Sequence, residues 1–491
     1  MNSSFQKWPY SYFYRSQKRY GLLVSEPRGN LSAQDSNYSR IASSVVTDMP
    51  PIPGFETDTS KPFIATDLEV STVTPTSVVI TWITRRPFRP FRLVPAPVGT
   101  DTKLLLGTHS RNLKLVYEDD TPTAFHRVHI KGLEPGRRYF FSCRSAGVTP
   151  MPALHVTKRA GSFERTYSFT TLMPPPGRYL TTIALANDVH IGETRQGINL
   201  GPFLPTSVSA SQDKKYPETM FSGMVTELEH SGHPMLLMNG DITSSGKESE
   251  AIRFKELADG YGVQNRDWLA TRGNHDFPRG ADDPFGRHIA AFQKLQTAEH
   301  PSGLRVMGID TTYKSGGGKI SAEQFDEISA ELRADPDRPT ISMGHHPVTM
   351  DSVNSWPAGQ TFMLRKQDRK KLQALHLDAP GVFLHFSGHT HRMRRNRPDM
   401  VGAHTEYLEN AAIAAYPGGY SLLHLYEGGY LLNFWRTATR QALEWTYRSR
   451  WQMMGIGPHL TVGKVTDRNH VVYTDLSGLE PFGQLPEELD I

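Results

Sequence analysis

The pattern of hydrophobic and polar positions changes at a proline-rich junction, residues 174–177. Before it, from about residue 62, short runs rich in β-branched and aromatic residues alternate with turn signals, which is typical of strands. After it, short apolar runs alternate with stretches whose apolar residues recur at helical spacing. The pattern therefore predicts an all-β region followed by an α/β region with buried strands.

Two local features make the all-β region more specific. Trp82 lies in a β-branched run, where a sandwich would bury a tryptophan. The sequence Leu133-x-Pro135-Gly136-x-x-Tyr139 resembles the tyrosine corner of fibronectin type III domains. We therefore predict a fibronectin-III-like β-sandwich over residues 62–173. It has no cluster of catalytic residue types, which favours a scaffold or a binding module.

Three further segments complete the predicted organisation. Residues 1–61 are polar and end near a proline-rich stretch, which predicts a poorly ordered arm or linker. Residues 178–445 form the predicted α/β domain. Residues 446–491 are mixed and polar, and the sequence assigns no role to this C-terminal extension.

In the α/β region, five apolar runs end at short polar blocks. The blocks are Asp188-x-His190, Gly240-Asp241, Gly273-Asn274-His275-Asp276, Gly344-His345 and Gly388-His389-x-His391. Ligands in open α/β sheets bind at the carboxyl ends of the strands, so the blocks are expected to converge there. Five strand ends with metal-ligand residue types are hard to attribute to chance.

The ordered set of blocks resembles the calcineurin-like metallophosphoesterase superfamily over roughly residues 178–440, and the region before it resembles a purple acid phosphatase N-terminal domain. The resemblance implies an α/β fold in which a β-sandwich is flanked by helices (α/β/β/α), preceded by the small all-β domain.

The resemblance also implies a two-metal site. One divalent metal ion would be held by Asp188, His190, Asp241 and His391. The second would share the bridging carboxylate and be held by Asp241, Asn274, His345 and His389. Imidazole and oxygen ligands without thiolate suit Zn, Mn or Fe, and the sequence does not choose among them.

The implied activity is hydrolysis of a phosphate ester, with a phosphodiester favoured. Two adjacent divalent ions clamp the phosphoryl oxygens and activate a hydroxide nucleophile. His275 would assist departure of the leaving oxygen, since a histidine titrates near neutral pH.

Two departures separate the chain from well-known relatives. Purple acid phosphatases have a tyrosine ligand three residues after the central aspartate, where this chain has Ser244. Ser/Thr protein phosphatases have Asp-Arg-Gly after the second block, which is missing here, and with it the carboxylate that orients their catalytic histidine. The first and third blocks look more like the phosphodiesterase branch.

Two alternative functions remain open. Arg392 and Arg394 follow the last ligand block and are candidates for substrate binding, because arginine forks suit phosphate. They would also suit a nuclease acting on nucleic acid, which is possible but not favoured over a small phosphate ester. The other alternative is a non-enzymatic scaffold that only retains metal.

Composition adds little beyond this. Cys143 is the single cysteine, which excludes an intrachain disulfide and a cysteine-based zinc site. The net charge of +4 is small for 491 residues. No apolar run approaches the length of a membrane span and no signal peptide is recognisable, so a cytoplasmic location is expected.

Overall fold

The computed structural model describes residues 56–89, 94–159, 161–197, 207–209, 215–278, 280–314 and 316–486. The predicted N-terminal arm therefore lies outside the described residues, except for residues 56–61. Within the described residues, none of the helices is both long enough and apolar enough to cross a membrane.

The first domain is all-β, as predicted. Its strands are β1 (Ile64–Val73), β2 (Val78–Arg85), β3 (Thr100–His109), β4 (Asn112–Thr123), β5 (Phe125–Ile130), β6 (Arg138–Arg144) and β7 (Ser168–Thr170). They form two antiparallel sheets, of order β1-β2-β5 and β4-β3-β6-β7. Two short helices, α1 (Leu154–Thr157) and α2 (Phe163–Thr166), precede the last strand.

The two sandwich features predicted from the sequence are present. Trp82 is buried, and its indole N–H donates to the Ser145 hydroxyl at 2.8 Å. The Tyr139 hydroxyl oxygen accepts a hydrogen bond from the Glu134 backbone N–H at 2.9 Å, which is the contact that a tyrosine corner requires.

The second domain contains two six-stranded sheets. Its strands are β8 (Tyr179–Ala186), β9 (Met235–Asn239), β10 (Trp268–Thr271), β11 (Gln296–Glu299), β12 (Arg305–Ile309), β13 (Thr340–Gly344), β14 (Val382–Ser387), β15 (Arg394–Asn396), β16 (Glu406–Glu409), β17 (Gly419–Tyr426), β18 (Gly429–Arg436) and β19 (Asn469–Tyr473). The sheet orders are β10-β9-β8-β17-β18-β19 and β11-β12-β13-β14-β16-β15. Strands β8, β9 and β10 run parallel, as do β12, β13, β14 and β16.

Helices surround the two sheets. They are α3 (Tyr216–His230), α4 (Glu248–Tyr261), α5 (Pro284–His288), α6 (Ala322–Ala334), α7 (Met350–Ser355), α8 (Lys366–Leu377), α9 (Arg440–Ser449), α10 (Gln452–Gly455), α11 (Gly457–Thr461) and α12 (Val465–Arg468). Helix α6 begins where predicted, with the Ser321 hydroxyl accepting from the Gln324 backbone N–H at 3.1 Å.

The layers follow from the alternation of side chains along each strand. In β8, Ile183 and Leu185 pack between the two sheets, whereas Ala184 and Ala186 face the helices. Strands β8, β9, β10, β13 and β14 are buried on both faces, which explains their nearly continuous apolar runs. The α/β/β/α expectation is confirmed.

The C-terminal extension, to which the sequence assigned no role, completes the first sheet of the second domain. Strand β19 pairs antiparallel with β18 along Asn469–Tyr473. The Asn469 side-chain oxygen also accepts from the Val73 backbone N–H at 3.0 Å, so this segment touches the all-β domain as well.

Candidate metal centre

All five polar blocks lie at the carboxyl ends of parallel strands. Strands β8, β9 and β10 of the first sheet lead into the first three blocks, and β13 and β14 of the second sheet lead into the last two. Because the two sheets are stacked, their ends open onto one site. The sequence predicted this convergence from the strand ends alone.

The backbone is left-handed at five of the site residues. The φ angles are 53° at Asp188, 56° at His190, 47° at Asp241, 66° at His389 and 51° at His391. Non-glycine residues rarely adopt this conformation, and it persists only where the surroundings impose it. Hydrogen bonds between the blocks impose it here. They join the Asp188 N–H to the Gly240 oxygen at 3.1 Å and the His190 N–H to the Asp241 oxygen at 2.9 Å.

Glycines at the strand ends allow the blocks to approach one another. A Cβ atom on Gly240 would lie 2.3 Å from Nδ1 of His345, and one on Gly273 would lie 2.0 Å from the Asp241 nitrogen. A side chain at Gly240 would push the second block away from the fourth, and a side chain at Gly273 would push the third block away from the second.

One group of ligand atoms gathers around Asp188. The Nε2 atoms of His190 and His391 are 3.2 Å apart, and Nε2 of His391 is 3.4 Å from Oδ1 of Asp188. Oδ2 of Asp241 is 3.9 Å from Nε2 of His190. These are the four residues predicted for the first metal, and the structure brings them together.

A second group gathers around the other side of Asp241. Nε2 of His345 lies 3.2 Å from Oδ2 of Asp241 and 3.1 Å from Oδ1 of Asn274. Its Nδ1 donates to the Asn239 carbonyl at 3.2 Å, which leaves Nε2 to face the group. The His389 ring lies 5.0 Å from the His345 ring. Asp241 thus joins both groups, as predicted.

The chemistry of these residues fits two divalent cations. Each of two sets, Asp188 with His190 and His391, and Asp241 with His345 and His389, offers ligand atoms within 4.8 Å of one another. Nε2 of His389 is buried without a hydrogen-bond partner, an arrangement that is costly unless a ligand is bound there.

The pKa shifts of Asp241 and His345, at the centre of the site, also fit a bound cation. Burial disfavours the charged forms of both groups, yet Asp241 raises the pKa of His345 to about 9. Likewise His345 and His275 hold the pKa of Asp241 well below its usual value despite its burial. A cation held by these two residues would compensate the charge of Asp241 in place of a protonated His345.

His275 is held beside the two groups with its ring exposed. Its backbone N–H donates to Oδ1 of Asp241 at 2.8 Å, and its Nδ1 lies 2.7 Å from the Ser244 carbonyl oxygen. Burial lowers the pKa of His275, but Asp241 and the Ser244 carbonyl outweigh it and raise the pKa above the usual value. His275 is therefore suited to donate a proton near neutral pH.

Two carboxylates that sequence reasoning did not assign a role hold the blocks in place. Asp276 accepts from the backbone N–H groups of Ile242, Thr243 and Gly273 at 2.7–3.0 Å, which ties the third block to the second. Burial, and then the charge of Asp241, raise the pKa of Asp276 to about 6. The only sequence signal for this role is its position inside the third block.

The second of these carboxylates is Glu409, which is fully buried. It accepts hydrogen bonds from Thr390, at 2.5 Å, and from Ser352, at 2.7 Å. Thr390 separates His389 from His391, so Glu409 fixes the loop that carries both histidines. No local sequence pattern indicates this contact.

Arg392, a predicted substrate-binding residue, lies in a buried ion pair. Its side chain is buried, with Nε 2.6 Å from Oε2 of Glu409 and one terminal nitrogen 2.7 Å from Oε1. The other terminal nitrogen donates to the Ser355 carbonyl at 3.1 Å. Arg392 is thus committed to a buried ion pair, which argues against the predicted contact with substrate.

The remaining candidates lie at the margin. Arg394 is half-buried and bonds to both oxygens of Asp351, at 3.0 and 3.1 Å, so its predicted contact with substrate stays a prediction. Two histidines near the blocks are engaged elsewhere: the ring nitrogens of His346 contact Thr311 and Gly316, and His404 contacts the Ala379 carbonyl.

Comparison with known proteins supports the family resemblance. Residues 181–393 match the family model described as calcineurin-like phosphoesterase, and residues 65–171 match the purple acid phosphatase N-terminal domain. No curated protein matches the chain.

Several solved structures are similar to the chain. A dimetal phosphatase from Danio rerio is 12% identical, with a TM-score of 0.41, and the match covers 53% of this chain and 98% of that one. A purple acid phosphatase from yellow lupin seeds is 14% identical, with a TM-score of 0.38, covering 76% and 72% respectively. The structure of PhoD is 9% identical, with a TM-score of 0.33, covering 75% and 85%.

Proposed function

We propose that the chain is a metal-dependent hydrolase of phosphoric esters that prefers phosphodiesters, because residues 181–393 match the calcineurin-like phosphoesterase family and residues 65–171 match the purple acid phosphatase N-terminal domain. The site would hold two divalent ions, with zinc, manganese or iron as the candidates. When bound, they would stabilise negative charge on the phosphoryl oxygens and acidify the attacking water.

The observation that carries the diester preference is the pairing of the arginines next to the ligand blocks. Arg272 is buried against Asp283 at 2.7 Å, and Arg392 is buried against Glu409. The charge of each arginine is therefore already balanced by a carboxylate, and neither side chain is available to pair with a substrate phosphate. A monoester carries close to two negative charges near neutral pH, whereas a diester carries one. The site therefore suits the less charged ester.

His275 would act on the leaving group. The carbonyl oxygen of Ser244 can only accept, so Nδ1 of His275 carries a hydrogen and Nε2 is the reactive position. As the bond between phosphorus and the leaving oxygen breaks, the Nε2 proton passes to that oxygen. The imidazole becomes neutral, and its remaining hydrogen stays on Nδ1, which donates it to the Ser244 carbonyl oxygen.

The two alternatives are less well supported. Arg394, one of the two arginines that would suit a nuclease, is paired with Asp351. A scaffold that only retains metal would not need an exposed histidine held at the ligand cluster. The complete set of ligand residues and the position of His275 both favour an enzyme.

The test is a panel of p-nitrophenyl phosphate, bis-p-nitrophenyl phosphate and cyclic nucleotides, assayed with Mn, Zn and Fe. We expect a higher kcat/KM on the aryl diester than on the monoester, and loss of activity in Asp241→Asn. Asp282→Asn, an exposed aspartate, is the matched control and should retain activity. A preference for the monoester would refute the proposed specificity, and inactivity on every ester with every metal would refute the function.

A further inference from the structure

An exposed phenylalanine lies against one of the candidate metal ligands. The centroid of the Phe362 ring is 4.8 Å from that of the His389 ring, with an interplanar angle of 29°. Phe362 nevertheless keeps 37% of its surface exposed, whereas His389 keeps 9%. The ring thus covers His389 and presents the rest of its surface to solvent at the site.

The backbone around Phe362 fixes the position of this ring. Phe362 ends a short 3-10 helix, Gly359–Phe362, and the next two residues, Met363 and Leu364, are buried. The Leu364 backbone N–H donates to the Pro347 carbonyl at 3.1 Å, two residues beyond His345. The ring therefore stands on an anchored segment.

Phe362 and His275 contact different parts of the ligand cluster. His275 packs edge-on against His190, with the ring centroids 4.8 Å apart, in the group around Asp188. Phe362 stacks on His389, in the group that contains His345. If the leaving oxygen binds at His275, Phe362 borders the other group of ligand residues, on the side that remains for the second ester group.

We propose that Phe362 is a specificity-determining residue that stacks on a planar ring in the retained ester group of a phosphodiester. The inference rests on the proposed function and names its substrate class: a nucleoside or aryl phosphodiester. An aromatic side chain with an exposed surface binds any planar ring, and losing one such stack weakens binding roughly tenfold.

The experiment uses three diesters with the same p-nitrophenyl leaving group and different retained groups: thymidine 5′-phosphoryl, phenyl phosphoryl and methyl phosphoryl. We expect Phe362→Ala to lower kcat/KM about tenfold on the thymidine and phenyl diesters, mainly through a higher KM, with the methyl diester unchanged. Phe362→Trp should retain the preference. The more affected of the two ring-bearing diesters indicates whether the ring is a nucleobase or an aryl group.

A matched control exists in the same chain. Phe482 is also exposed and packs on a buried histidine, His300, with the ring centroids 5.1 Å apart, at the opposite end of the second sheet. Phe482→Ala should leave all three rates unchanged. Equal losses on all three diesters in Phe362→Ala, or no loss on either ring-bearing diester, would overturn the proposal while the proposed function stands. A wild type inactive on all three diesters but active on p-nitrophenyl phosphate would overturn this proposal together with the diester preference.

Discussion

The Nδ1 atom of His275 lies 2.7 Å from the backbone carbonyl oxygen of Ser244. A neutral backbone carbonyl therefore orients this histidine. A carbonyl has no charge to form an ion pair with the imidazolium. The backbone sets the direction of this carbonyl, so the orientation of the His275 ring does not depend on the side chain at position 244.

This relationship predicts different effects for two neighbouring substitutions. His275→Asn should lower kcat by about 10²- to 10⁴-fold, the usual contribution of general acid catalysis, with little change in KM. Ser244→Ala should retain activity within about twofold, because the acceptor is a backbone atom. Steady-state kinetics on an aryl and an alkyl diester would check both, and the His275 loss should be larger on the alkyl diester, whose leaving group needs the proton more. Equal loss on both diesters would contradict the role of His275.

Metal content provides a second prediction that does not depend on turnover. Asp241 joins both ligand groups, whereas His389 belongs to one. Wild type should bind two metal ions per chain, and His389→Ala should bind about one. Elemental analysis after reconstitution with zinc or manganese measures this. His404→Ala, which changes an exposed histidine, should still bind two. Two ions in His389→Ala would exclude this histidine as a ligand.

Removal of the metals should also lower stability. A ligand that binds only the folded chain stabilises it by about 4 kcal/mol at a concentration a thousand times its Kd. The buried Nε2 of His389 and the carboxylate of Asp241 would lose their partners in the chelated protein. Denaturant unfolding with and without chelator should differ by several kcal/mol in the wild type and by less in His389→Ala. An unchanged midpoint would contradict the two-metal interpretation.

The convergence of the candidate ligand residues could be predicted because their signal is local. Each buried strand is a short apolar run, and the polar block comes directly after it, as at Asp241 after β9 and His345 after β13. The Tyr139 corner is equally local, since its partner Glu134 is five residues away. Where strand, turn and functional residue are neighbours in sequence, the pattern carries the structure.

The contacts that escaped prediction join distant segments. Glu69 of the all-β domain and Arg450, directly after α9, are 381 positions apart, yet they form a buried ion pair at 3.0 Å. Arg392 lies in the loop before β15, whereas Glu409 ends β16. An arginine after a ligand block is also chemically plausible as a phosphate binder. Only the folded chain shows which anion such an arginine meets.

The buried pair of Arg392 and Glu409 predicts a loss of stability instead of a loss of substrate binding. Arg392→Ala leaves a buried carboxylate uncompensated and should lower the free energy of unfolding by about 3–5 kcal/mol. The double variant Arg392→Met, Glu409→Gln should recover part of this. Denaturant unfolding measures both, with Arg333→Ala, an exposed arginine, as the control. A higher KM with unchanged stability would restore the original prediction that Arg392 binds substrate.

A last prediction concerns Glu406, at the start of β16 and away from the ligand blocks. Its carboxylate pairs with Arg395 at 2.5 Å and with His470 at 3.0 Å, and it accepts a hydrogen bond from the Tyr430 hydroxyl. Burial disfavours its charged form, but these partners, His470 first, lower its pKa to about 2.

Because the folded pKa of Glu406 is below the unfolded value of 4.5, its contribution to stability is complete above that value and is lost as the pH falls toward 2. We expect the difference in free energy of unfolding between wild type and Glu406→Gln to narrow by about 2 kcal/mol between about pH 5.5 and about pH 3. Urea unfolding of both proteins across this range measures the difference. Glu229→Gln, an exposed glutamate on α3, should show a difference that changes little with pH. A constant difference for Glu406→Gln would mean that its carboxylate gains nothing from its three partners.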